Sequence, residues 1–173
     1  MSNERFETEK VSLDYFVTAK YVFRSEITVR CTPQQLFASF EDPDSWPAWA
    51  MPITHVEWTS PKPFGVGTTR SVSMLGNLIG HEEFLAWEPY THMAFRFNQV
   101  NQKNAIGAFA EDYFVTDLGN GTIKLVWTVA MEPIGPGAIF MKISRPLVGW
   151  GLQWTLNGLK KFMENEGQKY PKA

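Results

Sequence analysis

A chain of 173 residues with 44% apolar and 20% charged residues has the composition of one globular domain, which excludes a disordered or fibrous protein. The formal net charge is −2 and the Lys and Arg residues are scattered, whereas nucleic-acid binding requires a concentrated basic face. No stretch approaches the roughly 18 apolar residues of a spanning helix, so we expect no membrane insertion. A single cysteine and a charged, non-apolar start of the chain favour a cytoplasmic location.

The first clear element is a strand followed by a capped short helix. In residues 22–30 polar and apolar side chains roughly alternate, which is typical of a strand with one solvent-facing side. Thr32 and Gln35 have the spacing of a capping box, and Pro33 fits the first helical position, where its missing N–H is not needed. The sequence therefore predicts a helix that begins directly after Thr32.

Three regions follow from this assignment. Residues 1–21 lack a clear pattern and are predicted to form an N-terminal arm. Residues 22–167 are predicted to form the single domain, and residues 168–173 a short tail.

The middle of the chain is typical of consecutive strands separated by Gly- and Pro-containing turns. Strands are predicted over residues 53–58, 68–75, 79–88, 92–100, 105–118 and 122–132. Two of them have a clear apolar face, and we expect both faces to point inward. The residues of these faces are Met93, Phe95, Phe97, Ile123, Leu125, Trp127, Val129 and Met131.

The end of the chain is predicted to be a long helix that ends near Gly167. One helical face carries the apolar residues Val148, Leu152, Thr155, Leu159 and Phe162 together with Gly151. Trp150 and Trp154 form a stripe beside it, for which core packing is favoured over a role in the pocket or in partner binding. Strands followed by one long helix indicate an α+β fold, in which a curved antiparallel sheet wraps around the C-terminal helix.

Several short motifs occur in a characteristic order. They are Thr32-Pro33-Gln34-Gln35-Leu36-Phe37, Asp42 to Trp46 with Trp49, Gly65-Val66-Gly67-Thr68, Glu88-Pro89, Gly121-Thr122 with Leu125 and Trp127, and Leu159-Lys160. Together they resemble the START-like, or Bet v 1-like helix-grip, superfamily (SRPBCC), and within it the polyketide cyclase/dehydrase and lipid-transport branch. The resemblance covers roughly residues 22–166. It implies a pocket between sheet and helix for a hydrophobic small molecule, but not one chemistry, because the same scaffold carries lipids, binds hormones and hosts enzymes.

The pocket residues are predicted from the inner strand faces and from the apolar face of the helix. They are Trp58, Arg70, Met74, Phe95, Phe97, Trp127, Val129, Leu152 and Thr155. Trp46 and Trp49 flank a turn, where they would either gate such a pocket or plug its end.

Candidate catalytic groups are His81, Glu83 and Asp112. Alternation places His81 and Glu83 on one face and Glu82 on the other; if the first two face the pocket, the carboxylate can orient the imidazole for acid–base work. Asp112 and Glu111 present the same alternative, because the length of the turn at residues 119–121 decides which of them points inward.

Three functions are compatible with these features. The first is a carrier or sensor that binds a lipid, polyketide-like or aromatic compound without a cofactor. The second is an enzyme of the polyketide cyclase or dehydratase kind that uses a pocket histidine or carboxylate. The third is an interaction module that docks a partner chain, for example a second copy as a homodimer. Cys31 is predicted to be a buried thiol, and the spacing of the three histidines does not favour a metal.

Overall fold

A computed structural model describes residues 4–171, and in it a curved antiparallel sheet grips a long C-terminal helix, so the predicted α+β architecture is confirmed. The strands are β1 (Phe6–Glu7), β2 (Tyr21–Val29), β3 (Ile53–Trp58), β4 (Thr69–Met74), β5 (Leu78–Glu88), β6 (His92–Val100), β7 (Ala108–Gly119) and β8 (Thr122–Glu132). The helices are α1 (Tyr15–Thr18), α2 (Pro33–Glu41), α3 (Trp46–Trp49) and α4 (Pro136–Glu166), with single 3-10 turns at Leu75–Asn77 and Gly167–Lys169.

The sheet runs in the order β2-β8-β7-β6-β5-β4-β3. Every neighbouring pair in it is antiparallel. β1 pairs with the end of β6, beyond the part of that strand that β7 covers. Because β2 pairs with β8, the first and last strands of the predicted domain are neighbours in the sheet, and β2 packs against α4.

The capping box at the start of α2 is present. The Thr32 hydroxyl accepts from the Gln35 N–H at 3.2 Å, and the Gln35 side chain accepts from the Thr32 N–H at 3.0 Å. The Gln35 amide also donates to the Gly167 carbonyl at 3.0 Å, which fastens the short helix to the end of α4. A local cap therefore also makes a long-range contact.

One predicted strand is shorter than expected. β7 begins at Ala108, and residues 105–107 form a bend. A Cβ on Gly107 would lie 3.0 Å from the Ile134 side chain and 3.1 Å from the Glu132 carbonyl, so the chain passes close to the end of β8 here. The bend turns Ala105 and Ile106 towards the interior.

The N-terminal segment lies against the outside of the sheet. Val11 and Tyr15 are buried against Ala108, Ala110 and Ala130 on the outer sheet face. Residues 1–3 of the predicted arm and residues 172–173 of the predicted tail lie outside the described residues.

The core lies between the inner sheet face and α4. The apolar faces predicted on β6 and β8 point inward, and Phe95, Leu125 and Trp127 are buried there with Leu156 and Leu159 of the helix. No helix within residues 4–171 is both long and apolar enough to cross a membrane.

The prediction of core packing for Trp150 and Trp154 is wrong. α4 begins at Pro136, earlier than the apolar face alone indicates, and contains Pro146. The side chains of Trp150 and Trp154 lie on the face of α4 away from the sheet and are 66% and 53% exposed. Helical spacing offsets them from the core face, and the sheet does not curve far enough around the helix to cover them.

Candidate functional site

A cavity of about 280 Å³ lies between the inner sheet face and α4. This volume is close to the lower end of the range of small-molecule sites, about 300–1,000 Å³. Its walls are mostly apolar and aromatic, and Met51, which is exposed, stands at its rim. The lining residues include Trp46, Trp49, Met51, Arg70, Met74, Glu82, Phe95, Phe97, Ile106, Phe109, Glu111, Tyr113, Trp127, Leu152 and Thr155.

Most of the predicted pocket residues line this cavity. They are Arg70, Met74, Phe95, Phe97, Trp127, Leu152 and Thr155. Trp58 instead stacks on Phe64 at a ring distance of 3.9 Å and lies behind the arginine, whose Cζ is 5.4 Å from its ring. Val129 is buried in the core beside the cavity and does not line it.

Arg70 is the charged centre of the cavity wall. It lies on β4 directly opposite Glu82 on β5, and its Nε donates to the Glu82 carboxylate. The Arg70 residue is 1% exposed and its Cζ lies 4.1 Å from the ring centre of Trp46 and 4.6 Å from that of Phe95. Aromatic faces attract a guanidinium, so these rings partly compensate its loss of water.

The remaining donors of this guanidinium are unused. Nη1 and Nη2 of Arg70 are buried and have no hydrogen-bond partner within residues 4–171. A buried polar group without a partner is costly, and the cost is larger for a charged group. Arg70 thus keeps unused hydrogen-bonding capacity on a residue that lines the cavity.

Glu111 is the second ionisable group of the wall. Its Oε2 accepts from the Tyr113 hydroxyl at 2.5 Å and from the Trp127 indole N–H at 3.0 Å. Burial, and secondarily the charge of Glu82, raise the pKa of the Glu111 carboxyl to about 7, although both hydrogen bonds and Arg70 oppose the rise. Near neutral pH this carboxyl is thus divided between its protonated and ionised forms.

Tyr113 stays a hydrogen-bond donor over the same pH range. Burial, and then the neighbouring Glu111 charge, raise the pKa of the Tyr113 hydroxyl well above its ordinary value. The phenol therefore holds Glu111 in place without competing for its proton.

The register of the β7–β8 hairpin decides which carboxylate faces the cavity. Tyr113 pairs with Trp127 and Glu111 pairs with Val129, and the register shifts only near the turn, between Asp117 and Gly119. Glu111 is consequently inside, which is one of the two alternatives that the sequence left open.

Asp112, a candidate catalytic residue, lies on the outer face of the sheet. Its Oδ1 is 2.6 Å from His92 Nε2, and the His92 ring stacks on Phe114 at 4.0 Å. The residue is buried with its histidine partner but does not line the cavity.

The other two catalytic candidates also point away from the cavity. His81 Nδ1 lies 2.9 Å from the Ser71 hydroxyl in a polar groove on the outer face, and burial lowers the pKa of its imidazole, with Arg5 adding to the effect. Glu83 accepts from Arg96 Nη2 at 2.7 Å. Glu82 takes the inward position between them because it pairs with Arg70 across the sheet.

The structure also places the single cysteine and bears on a metal site. Cys31 is buried, and burial raises the pKa of its thiol to about 12, with Glu164 contributing. Within the described part of the chain, no three His, Cys, Asp or Glu residues are arranged to hold a metal ion.

Several lining residues are either missing from the predicted pocket set or are predicted there only as one of two alternatives. Glu111, Tyr113 and Phe109 share one face of β7, and their alternation was visible, but the register of the hairpin was needed to orient it. Trp46 and Trp49 were recognised only as options to gate or plug a pocket, and both are buried in its wall. Ile106 lies in the bend before β7 and carried no signal.

Residues 20–164 match the family model described as "Polyketide cyclase / dehydrase and lipid transport". Uncharacterized proteins of Mycobacterium tuberculosis and Mycobacterium bovis are 45% identical to the chain over 159 residues, covering 92% of this chain and 94% of each relative.

Solved structures share the fold at low sequence identity. A START superfamily protein from Mycobacterium smegmatis has a TM-score of 0.61 at 12% identity, covering 86% of this chain and 97% of that one. The di-domain ARO/CYC BexL from the BE-7585A biosynthetic pathway has a TM-score of 0.62 at 14% identity, covering 82% of this chain and 45% of that one. These structures show a shared helix-grip fold, and the match over residues 20–164 shows that the chain belongs to the polyketide cyclase / dehydrase and lipid transport family.

Proposed function

We propose that this protein binds a mostly apolar small molecule in the cavity, with an oxygen-bearing group of the ligand against Arg70. The observation that carries the proposal is the pair of buried Arg70 Nη groups, which have no partner within residues 4–171 and belong to a mostly apolar wall. A ligand carboxylate or carbonyl oxygen would supply the missing acceptor, and charge-assisted hydrogen bonds of this kind are strong.

The rest of the wall supports an apolar ligand body. Phe95, Phe97 and Trp127 contribute aromatic faces from the sheet, and Leu152 contributes an aliphatic one from α4. Ligand sites of this type combine apolar walls with a few polar groups that fix orientation. A cavity of about 280 Å³ favours a compact aromatic or short aliphatic compound.

A matched pair of probes tests the proposal. We expect 2-naphthoate to bind more tightly than naphthalene, because the two differ only in the carboxylate that would meet Arg70. Leu152→Trp should abolish naphthoate binding by filling the cavity, whereas Leu147→Trp on the solvent side of the same helix should not. Isothermal titration calorimetry measures each affinity. Equal affinities for the two probes, or unchanged naphthoate binding by Leu152→Trp, would refute the proposal.

A second candidate function is acid–base catalysis by Glu111. Its pKa of about 7 lies where a general acid or base is most effective at neutral pH, and it lines the same cavity as Arg70. On a bound ketone, the Glu111 carboxylate would take a proton from the carbon next to the carbonyl. The Arg70 Nη groups would meanwhile stabilise the negative charge that develops on the carbonyl oxygen.

Proton exchange distinguishes the enzyme from the carrier. The assay follows exchange of the α-protons of propiophenone for deuterium in D₂O by NMR, with and without protein. A catalytic Glu111 predicts acceleration that rises with pH through about 7 and is lost in Glu111→Gln while probe binding persists. A rate that the protein leaves unchanged favours the carrier.

A further inference from the structure

The most unusual surface of the molecule is an exposed apolar stripe on the first half of α4. Its members are each more than half exposed, and we call them the α4 stripe: Ile139, Phe140, Ile143, Leu147, Trp150 and Trp154. A monomeric protein rarely leaves a contiguous patch of large apolar side chains in water, so such a patch marks an interaction site.

The α4 stripe is a continuous face. At 3.6 residues per turn, its six members fall within roughly 100° of arc, opposite the side on which Leu156 and Leu159 are buried. The segment from Ile139 to Trp154 is about 23 Å long at 1.5 Å per residue. It is therefore an amphipathic helix whose second apolar face has no partner within the described residues.

The charged residues along the helix that carries the stripe have one sign. Between Glu132 and Glu164 the only charged residues are Lys142, Arg145, Lys160 and Lys161, although the whole chain has a net charge of −2. Lys142, Arg145 and Lys161 are exposed, whereas Lys160 lies 3.7 Å from Glu164. At about 100° per residue Lys161 falls on the arc of the stripe, but Arg145 lies on the opposite side of the helix, with its Cζ 6.0 Å from the ring of Phe23. The helix that carries the stripe is thus cationic between Glu132 and Glu164, although the whole chain is not.

We propose that the α4 stripe docks on the surface of an anionic lipid bilayer. An exposed helical face of Trp, Phe and aliphatic residues with flanking cations has the composition of helices that lie in the membrane interface. Anionic headgroups attract such cations. Lys161 lies on the arc of the stripe itself and would face the headgroups together with its apolar residues, so the charge favours an anionic surface as the partner.

Docking would also place the cavity directly behind the helix that faces the bilayer, roughly one helix diameter (about 10 Å) away. Leu152 and Thr155 line the cavity from the same helix that carries the stripe, and the exposed Met51 stands at the rim. The ligand would then be a molecule that partitions into membranes and is exchanged there. This consequence rests on the proposed function, whereas docking itself does not.

Vesicle sedimentation with the full chain tests the proposal. The probes are vesicles of phosphatidylcholine alone and of phosphatidylcholine with phosphatidylglycerol at about 7:3. We expect binding to the anionic vesicles, which weakens as salt is raised because salt screens the charges, and a blue shift of tryptophan emission from Trp150 and Trp154. Equal binding to both vesicle types, or none to either, would overturn the proposal.

Matched variants assign the binding to the stripe. Ile143→Glu changes a residue that is 82% exposed, and Val17→Glu makes the same change at one that is 85% exposed on α1. We expect the first to weaken vesicle binding by about tenfold or more, through loss of one apolar contact and gain of one anion, and the second by about twofold at most. Circular dichroism checks that both fold. Equal effects of the two variants would overturn the proposal.

Two further outcomes separate the alternatives. A dimer in light scattering that Ile143→Glu converts to a monomer, without vesicle binding by the unmodified protein, would assign the stripe to a second copy and refute lipid docking. Leu152→Trp, which fills the cavity, should keep its vesicle affinity. If Leu152→Trp no longer binds naphthoate but still binds vesicles, lipid docking of the α4 stripe is independent of ligand binding in the cavity.

Discussion

The buried carboxyl of Glu111 should make the protein less stable as pH rises, and Glu111→Gln should remove this effect. The pKa of this carboxyl is raised from 4.5 to about 7 in the folded chain. The unfolded chain therefore releases the proton first, between those two values, and the folded chain is penalised over that interval. Glutamine keeps the shape and one carbonyl oxygen for the Tyr113 and Trp127 donors, but cannot ionise.

The size of the effect follows from the two pKa values. The full penalty above pH 7 is roughly 3 kcal/mol, since one pKa unit corresponds to about 1.4 kcal/mol. Between pH 5 and pH 8 the penalty grows by about 2–3 kcal/mol. The free energy of unfolding of Glu111→Gln, relative to the unmodified protein, should rise by that amount over the same interval.

Urea unfolding at pH 5, 6, 7 and 8, monitored by tryptophan fluorescence, measures this difference. Burying the glutamine N–H₂ group has a fixed cost, which changes the difference in unfolding free energy between the two proteins by the same amount at every pH. The slope of this difference against pH is therefore the quantity to compare. Glu57→Gln, at an exposed position, serves as the control for losing one carboxylate. If the free energy of unfolding of Glu111→Gln changes with pH in parallel with that of the unmodified protein, the placement of an ionisable Glu111 inside the cavity wall is refuted.

The buried ion pair, the cavity wall and the helix cap provide three further tests. Arg70→Met should cost about 3–5 kcal/mol of unfolding free energy by stranding the Glu82 charge, and changing both residues to Met should recover most of it; a double variant as unstable as the single one would contradict this. Gly80→Ala places a Cβ 2.9 Å from the Phe97 ring, so it should lower the free energy of unfolding by about 1–3 kcal/mol and weaken naphthoate binding. An unchanged naphthoate affinity in isothermal titration calorimetry would contradict this. Thr32→Ala should lower stability by about 1 kcal/mol in urea unfolding through loss of the cap, and Thr32→Ser should restore it.

The elements of this fold could be predicted because their signals are local. A capping box at Thr32 and Gln35 requires only neighbouring residues, and its geometry is as expected. The alternation in residues 122–132 identifies both a strand and its apolar face, since side chains on a strand alternate with period two. The inner wall formed by Phe95 and Trp127 follows from that periodicity alone.

The polar half of the candidate site could not be predicted in this way, because it depends on register. Glu82 rather than Glu83, and Glu111 rather than Asp112, face the cavity because of how each hairpin pairs. A shift of one residue in the register exchanges the two faces of a strand. The alternation of polar and apolar residues in the sequence does not show which register a short turn produces.

The long helix shows the same division between local and tertiary information. The sequence by itself determined that α4 is helical, with one apolar face for the sheet and tryptophans beside it. Only the tertiary structure decided that the sheet covers Leu159 and leaves Trp154 in solvent, because the curvature of the sheet limits how much of a helix it encloses. The same curvature leaves the cavity beneath Leu152 open, and the volume of such a space is a property of the packed whole.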